Sequence, residues 1–196
     1  SWVAIGARST EDQEHRIFAS SLDCPVGMKN PTHGSLKIAV NSILAAQHPH
    51  YIVFDGYEVK TAGNQYAHLV LRGSEGKTNY AMEDLADVAK LFVKNKVVNP
   101  AIIVDVSHDN CVVNGVKEHN EQANIVLKVV DELAAHPELK PLVKGFMLES
   151  FILEGRQNAE NGQAINLNGL SITDPCLGWD KTEALLLELA AKHKVN

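Results

Sequence analysis

The chain has 196 residues, of which 45% are hydrophobic and 21% are charged, and its formal net charge is −6. This composition predicts one globular domain spanning residues 1–196, and the negative charge argues against a nucleic-acid-binding protein, which would need a basic surface. No apolar run reaches the length of a membrane span and the first residues lack a signal-peptide pattern, so we expect a cytoplasmic protein with no membrane partner.

Five strand-like segments alternate with helical segments along the chain. Apolar and β-branched residues predict strands over residues 2–8, 25–30, 67–73, 101–106 and 144–151. Apolar residues at helical spacing predict helices over residues 10–20, 34–47, 81–95, 115–135 and from 180 onward. Because strands separated by helices pair in parallel through right-handed crossovers, the alternation predicts the α/β class.

Two helices carry a predicted cap. Thr10 and Gln13 have the spacing of a capping box at the start of the first helix. Asp180 and Glu183 have the same spacing at the start of the last helix. We therefore expect Thr10 and Asp180 to be the N-cap residues of these two helices.

Two further features interrupt the alternation. Residues 51–57 and 67–73 are strand-like runs joined by a polar, glycine-containing turn around residues 61–65, which predicts an extra hairpin. A segment rich in Gly, Asn and Gln covers residues 154–168, and it belongs to a long loop that follows the last strand.

The segment AIIVDVSHDN, residues 101–110, is the most informative part of the sequence. Its first six residues are apolar except for Asp105, as in a strand buried on both faces of a parallel sheet. Ser107 and His108 follow directly. A histidine at the end of a buried strand is held by a rigid scaffold and is open to a ligand, so His108 is either a functional residue or a satisfied polar residue.

Every predicted strand ends next to a charged or metal-binding side chain. These residues are, in chain order, Arg8, Lys29, Arg72, His108 and Glu149, with Asp174 in the loop after the last strand. In a closed barrel of parallel strands these ends converge on one face, where the loops build the active site. Five such endings in succession, three of them cationic in an acidic protein, make chance a poor explanation.

The three cations predict a local anion site. Arginine offers forked donors to a phosphate or carboxylate, and lysine offers a point charge, so Arg8, Lys29 and Arg72 would together bind an anion at the barrel mouth. Each of them taken singly is more simply explained as a solvated or ion-paired cation at the end of a strand.

His108, Glu149 and Asp174 supply one nitrogen and two carboxylates. This donor set suits a divalent ion such as Mn, Fe, Co or Zn, although the same groups would also serve as a general base and its partners. The three cysteines are Cys24, Cys111 and Cys176, and their wide spacing predicts reduced thiols rather than a disulfide framework.

Seven motifs, in this order, carry a resemblance to a known family: WVAIGARSTEDQ, CPVGMKN, LRG, DVSHDN, MLES, EGRQ and SITDPCLGW. Their order and intervals resemble the C-terminal part of type I 3-deoxy-D-arabino-heptulosonate 7-phosphate (DAHP) synthase, over essentially the whole chain. The resemblance implies a (β/α)₈ TIM barrel and a transferase activity. The reaction is the metal-dependent condensation of phosphoenolpyruvate with erythrose 4-phosphate, which opens the shikimate pathway of aromatic amino-acid biosynthesis.

The resemblance also implies roles for individual residues. His108, Glu149 and Asp174 match the metal ligands of the family. Residues at four positions match those that hold phosphoenolpyruvate, namely Ala7, Arg8, Lys29 and Arg72. Lys29 and His108 are the expected catalytic residues, with Lys29 stabilising charge on the enol phosphate.

The match to the family begins at its fourth barrel strand. The resemblance therefore implies an incomplete barrel of about five βα units plus a hairpin. It also implies that the family's cysteine metal ligand and its Lys-Pro-Arg-Thr segment for erythrose 4-phosphate have no counterpart here, with Cys111 and Cys176 as candidate replacements for the thiolate. Five strands leave two unpaired edges, so we expect a homo-oligomer with little or no activity of its own.

Two other interpretations of the sequence remain open. In one, the chain is an inactive fragment that keeps the fold and partial binding of phosphate and metal. In the other, Lys29 forms a Schiff base with a sugar phosphate, as in class I aldolases.

Overall fold

The computed structural model describes residues 1–159 and 164–195. Its elements, in chain order, are β1 (Val3–Ile5), α1 (Gln13–Ser21), β2 (Val26–Lys29), α2 (Leu36–Gln47), β3 (Tyr51–Phe54), β4 (Tyr57–Lys60), β5 (His68–Leu71), α3 (Met82–Asn95), β6 (Ile102–Asp105), a 3₁₀ helix (His108–Cys111), β7 (Val112–Val113), β8 (Val116–Lys117), α4 (Glu121–Ala134), β9 (Val143–Met147) and α5 (Trp179–Val195). None of the helices in these described ranges is both long enough and apolar enough to cross a membrane.

Five of the strands form one parallel sheet in the order β1-β2-β5-β6-β9. Each neighbouring pair is parallel, with Lys29 opposite Val70 and Leu71 opposite Val104. The carboxyl ends of all five strands therefore lie along one edge of the sheet. The predicted α/β class and parallel sheet are confirmed.

One face of the sheet packs against the helices. Alternate strand residues, among them Met28, Leu69 and Val104, are fully buried in a core shared with helical residues such as Ile43 and Val126. This pattern follows from the period of two along a strand, which sends every second side chain to the same face. The remaining strand positions, including those of Lys29 and Asp105, belong to the opposite face.

Trp2 lies over the opposite face near the amino ends of the strands. Its indole Nε1 donates a 3.0 Å hydrogen bond to Nε2 of His68. Gly27 leaves room for this contact, because a Cβ atom at Gly27 would lie 2.6 Å from Val70 Cγ2 and 2.8 Å from Trp2 Cζ2. Glycine is therefore required at position 27 by close packing.

We expect Gly27→Ala to lower the free energy of unfolding by about 1–3 kcal/mol, the usual cost of overpacking a filled site. Urea titration followed by circular dichroism measures this change. Gly6→Ala is the matched control, because a Cβ atom at Gly6 would meet nothing within 4 Å. Equal free energies of unfolding in the two variants would show that Trp2 and Val70 move to make room for the added Cβ atom without destabilising the fold.

Both predicted caps are wrong. The N-cap of α1 is Asp12, whereas Thr10 is fully buried with its Oγ1 atom lacking a hydrogen-bond partner. Helix α5 begins at Trp179, so Asp180 lies inside the first turn. In both places the spacing fits a capping box, but the helix starts at another residue. At α1 the carbonyl group of Thr10 accepts hydrogen bonds from the side chains of Arg16 and Ser42.

A hairpin is present in this region, but the predicted pairing of residues 51–57 with residues 67–73 is wrong. β3 pairs with β4 through Asp55 and Gly56, which both have positive φ, as a two-residue hairpin turn requires. The run 67–73 instead supplies β5 of the main sheet. The Asp-Gly pair was the local signal for this turn.

A second short hairpin replaces the start of the predicted helix 115–135. β7 and β8 pair around Asn114 and Gly115, whose φ angles are 50° and 79°, and α4 begins only at Glu121. Asn-Gly is the preferred sequence for such a turn.

The last sheet strand and the loop after it also differ from expectation. β9 ends at Met147, two residues before Glu149, rather than at residue 151. Of the polar segment 154–168, residues 160–163 lie outside the described residues. In the first part of this segment, Gly155 forms an isolated β-bridge with Cys176, and Arg156 forms one with Ser171.

Candidate metal and anion site

Three side chains that the sequence singled out lie together at the carboxyl edge of the sheet. His108, Glu149 and Asp174 each offer one ligand atom, and these three atoms all lie within 4.8 Å of one another. All three residues are half-buried. We refer to His108, Glu149 and Asp174 as the imidazole-carboxylate cluster.

Backbone geometry fixes the position of His108. It begins the 3₁₀ helix with a φ angle of +55°, a left-handed conformation that is uncommon for residues other than glycine. Such conformations cost on the order of 1–3 kcal/mol and are concentrated at functional sites. Its Nδ1 atom lies 3.0 Å from Asp105 Oδ2, and its Nε2 atom lies 3.4 Å from Glu149 Oε1.

Asp105 determines which ring nitrogen of His108 carries the proton. An ionised carboxylate only accepts hydrogen bonds, and Ser107 Oγ, 2.7 Å from Nδ1, already donates its proton to Asp105 Oδ1. The Nδ1 atom is therefore the donor toward both groups. The lone pair of a neutral imidazole is then on Nε2, which faces Glu149. The 3.4 Å separation between His108 Nε2 and Glu149 Oε1 would allow both atoms to bind one metal ion, since nitrogen and oxygen ligands lie about 2.0–2.2 Å from such an ion.

Gln122 holds Glu149 in place from helix α4. Its side chain is fully buried and forms two hydrogen bonds with the Glu149 backbone, accepting from N at 2.8 Å and donating to O at 3.1 Å. Burial raises the pKa of the Glu149 carboxyl group; the charge of His108 lowers it, and that of Asp174 raises it. A divalent cation between these groups would relieve this repulsion.

Asp174 is paired with a lysine that the sequence did not single out. Lys117, the last residue of β8, places its Nζ atom 2.7 Å from Asp174 Oδ1. Burial tends to raise the pKa of Asp174, but the hydrogen bond and positive charge of Lys117 outweigh it and lower the pKa. The β7–β8 hairpin therefore connects the loop after β6 with the loop after β9.

Asp105 lies at the centre of a second group of contacts. It is fully buried, and its Oδ2 atom accepts a 2.8 Å hydrogen bond from Lys29 Nζ. Burial alone would raise its pKa, but the hydrogen bond and charge of His108, together with those of Lys29, lower it to about 2. Asp105 is therefore an anion shared by the lysine of β2 and the imidazole after β6.

Arg72 is held by a different carboxylate. Its Nη1 atom lies 3.0 Å from Asp109 Oδ2, and the two side chains are only 11% and 22% exposed. The Arg72 backbone N donates to Asn30 Oδ1 at 2.9 Å, and Asn79 donates to the same oxygen at 3.1 Å. Asn110 continues this buried network by bonding to the carbonyl groups of Leu71 and Asp105.

The remaining predicted positions do not join these contacts. Arg8 is exposed, and among the described residues it forms no ion pair, while Ala7 is half-buried next to it. Lys29 and Arg72 each contact their own carboxylate. The strands thus bring the three cations to one edge of the sheet, but not into contact with a common anion.

Neither candidate cysteine completes the imidazole-carboxylate cluster. Within residues 1–159 and 164–195, the group that could hold a metal ion contains His108, Glu149 and Asp174 without a thiol. Burial raises the pKa of the Cys111 thiol to about 11, and burial also raises that of Cys176. Burial therefore favours the neutral thiol at both positions.

Several residues that build the site were not predicted. Asp105 was noted as an acid inside an apolar strand but was given no role, and Gln122 and Lys117 were not singled out. An acid at the end of a buried strand was a usable signal, because a buried charge needs a partner. No local pattern marked Gln122 or Lys117, since their partners lie 27 and 57 residues away in the chain.

Comparisons with known proteins place the chain in one family. The profile described as "DAHP synthetase I family" matches residues 1–187. A Trp-sensitive phospho-2-dehydro-3-deoxyheptonate aldolase of Salmonella typhimurium is 42% identical over 97% of this chain and 53% of its own length. A phospho-2-dehydro-3-deoxyheptonate aldolase of Haemophilus influenzae is 40% identical over 97% of this chain and 51% of its own length.

A solved structure agrees with these sequence matches. The phospho-2-dehydro-3-deoxyheptonate aldolase of Francisella tularensis superimposes with a TM-score of 0.83 at 30% identity, covering 97% of this chain and 54% of that protein. The chain thus spans about half the length of the relatives that it matches. With a family match over 187 residues and a shared fold, the chain belongs to the DAHP synthetase I family.

Proposed function

We propose that this chain is the part of a DAHP synthase that binds a divalent metal and the phosphate of phosphoenolpyruvate. The observation that carries the proposal is the half-buried imidazole-carboxylate cluster next to Lys29, with Asp105 between them. The reaction is the condensation of phosphoenolpyruvate with erythrose 4-phosphate in the cytoplasm. The names of the relatives support this assignment.

The chain's own residues would bind and orient the enol phosphate. Lys29 uses one of its three donors on Asp105, which leaves two for a phosphate oxygen. Arg72 has five donors, and its planar fork can bind a phosphate while it keeps its contact with Asp109. Arg8 is exposed at the same edge and would close over the anion. Together these cations hold the enol so that its C3 atom faces the aldehyde carbon.

The imidazole-carboxylate cluster suits a divalent metal, because one imidazole nitrogen and two carboxylates form a donor set for Mn, Fe, Co or Zn. When bound, such an ion acts as a Lewis acid that polarises the aldehyde oxygen of the sugar phosphate. His108 would offer Nε2 to such an ion, while its Nδ1 keeps its proton and donates it in a hydrogen bond to Asp105. The new carbon-carbon bond joins C3 of the enol to the aldehyde carbon, water adds at C2, and phosphate leaves.

The Schiff-base alternative has less support from the contacts. Lys29 lies 2.8 Å from a fully buried carboxylate, an arrangement that suits an ammonium group placed to bind an anion. A Schiff-base lysine must act as a neutral amine. Borohydride reduction with substrate present should therefore leave Lys29 unmodified.

We also propose that the single domain of residues 1–196 is part of a (β/α)₈ barrel. Three features support it: five parallel strands, helices packed on one face of the sheet, and candidate site residues along one edge. β1 and β9 are the edge strands of this sheet. Further strands of the barrel would pair with them, and a barrel of this kind has about 250 residues.

The 196-residue chain by itself should form dimers or larger assemblies. Its sheet has two edge strands, and Phe18, Val53 and Phe54 are 51–79% exposed around a cavity of about 540 Å³ between α1 and the β3–β4 hairpin. Exposed edges and apolar patches promote association. Sedimentation velocity measures the assembly state, and a stable monomer across the concentration range would contradict this expectation.

A reconstitution assay tests the proposed function. The chain is co-expressed with the N-terminal part of the Salmonella relative that it does not cover, and loss of phosphoenolpyruvate is followed with erythrose 4-phosphate and Mn²⁺. We expect turnover by the assembled complex and none by the chain alone. Normal turnover by the chain alone would contradict the proposal that its five strands form only part of the barrel. A complex that assembles and binds Mn²⁺ but consumes no substrate would contradict the function.

A further inference from the structure

We infer that Asp105 is a positioning residue shared by the metal site and the anion site, so that one buried carboxylate sets the affinity of both. The inference rests on the proposed function, because it assigns the metal to His108 and the phosphate to Lys29. Asp105 itself would touch neither the metal nor the phosphate, so a list of the residues that bind them would omit it.

The contacts of Asp105 use both carboxylate oxygens. Oδ2 lies 2.8 Å from Lys29 Nζ and 3.0 Å from His108 Nδ1. Oδ1 accepts from the backbone N of Ser107 at 3.1 Å and from its Oγ atom at 3.0 Å, and it lies 3.2 Å from the same His108 Nδ1 atom. The side chain is fully buried, so all four donors come from the protein. A buried carboxylate with this many donors is held in a single orientation.

The position of Asp105 in the sheet explains how it reaches both groups. It is the last residue of β6, and His108 follows three residues later in the same loop. Lys29 is the last residue of β2, which is separated from β6 by β5. The ion pair between Lys29 and Asp105 therefore crosses the face of an intervening strand. It links the part of the edge that carries the cations to the part that carries the imidazole-carboxylate cluster.

Each partner gains something specific from this contact. For His108, the carboxylate holds the proton on Nδ1 and directs the Nε2 lone pair toward Glu149, as carboxylate partners of metal-binding histidines do. For Lys29, the carboxylate holds the ammonium group at the strand end and leaves two donors for a phosphate. Loss of Asp105 would release both side chains at once.

Asp105→Asn is the sharpest variant, because it keeps the size of the side chain and removes its charge. An asparagine has one acceptor oxygen and one donor NH₂ group, so it can accept from Ser107 or from Lys29 but not from both. Whichever way the amide is turned, its NH₂ group lies against a donor, either those of Ser107 or the ammonium group of Lys29.

The test measures Mn²⁺ affinity and phosphoenolpyruvate affinity separately, by calorimetry on the 196-residue chain. We expect Asp105→Asn to weaken both by about 10–100-fold, the range measured when a partner of a metal ligand is removed. His108→Ala should mainly weaken Mn²⁺ binding, and Lys29→Met should mainly weaken phosphoenolpyruvate binding. Asp87→Asn, an exposed acid paired with Lys90 on α3, is the matched control and should change neither affinity.

Two further measurements separate positioning from a loss of fold. Nitrogen NMR of His108 should show the proton on Nδ1 in the unmodified chain and a mixture of tautomers in Asp105→Asn. If Asp105→Asn does not fold, Ser107→Ala replaces it. Ser107→Ala removes one donor to the carboxylate, together with the Oγ atom that lies 2.7 Å from His108 Nδ1, and it should weaken both affinities by similar, several-fold factors.

The outcomes separate this inference from the proposed function. A variant that folds and loses only one of the two affinities, or neither, would overturn the shared role of Asp105 and leave the proposed function standing. If the unmodified chain binds neither Mn²⁺ nor phosphoenolpyruvate, the proposed function fails, and the inference fails with it.

Discussion

His108→Ala should weaken Mn²⁺ binding by about a hundredfold or more. Removal of a residue that merely supports a metal ligand costs about 10–100-fold, and His108 supplies the nitrogen donor of the imidazole-carboxylate cluster itself. The two remaining donors are carboxylates, which bind transition metals more weakly without an imidazole. Calorimetry, or the electron paramagnetic resonance signal of free Mn²⁺, measures this change.

His136→Ala is the control for this variant. His136 is a histidine outside the site, paired with Glu138 in the turns that follow α4, so its removal should leave Mn²⁺ affinity unchanged. Unchanged Mn²⁺ binding in His108→Ala would exclude His108 as a ligand. An equal loss in both variants would point to nonspecific binding by surface histidines.

Arg72→Ala should weaken binding of phosphoenolpyruvate by roughly tenfold or more. A hydrogen bond to a charged group contributes about 1.5–3 kcal/mol, and each 1.4 kcal/mol corresponds to tenfold in affinity. Arg72 is only 11% exposed, with its fork held by Asp109 and its backbone held by Asn30, so the side chain loses little conformational freedom when it binds an anion. Calorimetry with phosphoenolpyruvate measures the affinity.

Two comparisons keep this prediction specific. Removal of Arg72 leaves the half-buried Asp109 without its cation, so thermal melting must establish that the variant is folded. Arg72→Lys keeps the charge but loses the fork, and it should bind with an affinity between those of the unmodified chain and Arg72→Ala. Full affinity in Arg72→Ala would remove Arg72 from the anion site.

The sequence predicted the three middle strands of the sheet better than it predicted the ends of the two edge strands or the starts of α1 and α4. Buried strands appear as apolar runs of limited length, and this signal is local, so β2, β5 and β6 were found within one to two residues at each end. The start of α1 depended on packing that buries Thr10 among residues from other elements. Such contacts are not encoded in the spacing of neighbouring residues.

The sequence predicted which residues lie near the site, because the carboxyl ends of parallel strands lie along one edge of the sheet. His108, Glu149 and Asp174 come together as the strand order requires, although their role as metal ligands remains a prediction. The three cations were expected to surround one anion. Instead Lys29 and Arg72 contact different carboxylates. Asp105 ends β6 and reaches across β5 to Lys29, whereas Asp109, just after β6, pairs with Arg72 at the end of the neighbouring β5. Which acid pairs with which cation depends on distances across strands, and sequence spacing does not supply them.

The most direct test is the anomalous scattering of Mn²⁺ in crystals of the chain grown with Mn²⁺ and phosphoenolpyruvate. Our interpretation predicts a Mn²⁺ peak within about 2.0–2.3 Å of His108 Nε2 and of oxygens from Glu149 and Asp174, with the phosphate on the side of Lys29 and Arg72. A Mn²⁺ peak bound elsewhere, with these three side chains unliganded, would contradict it.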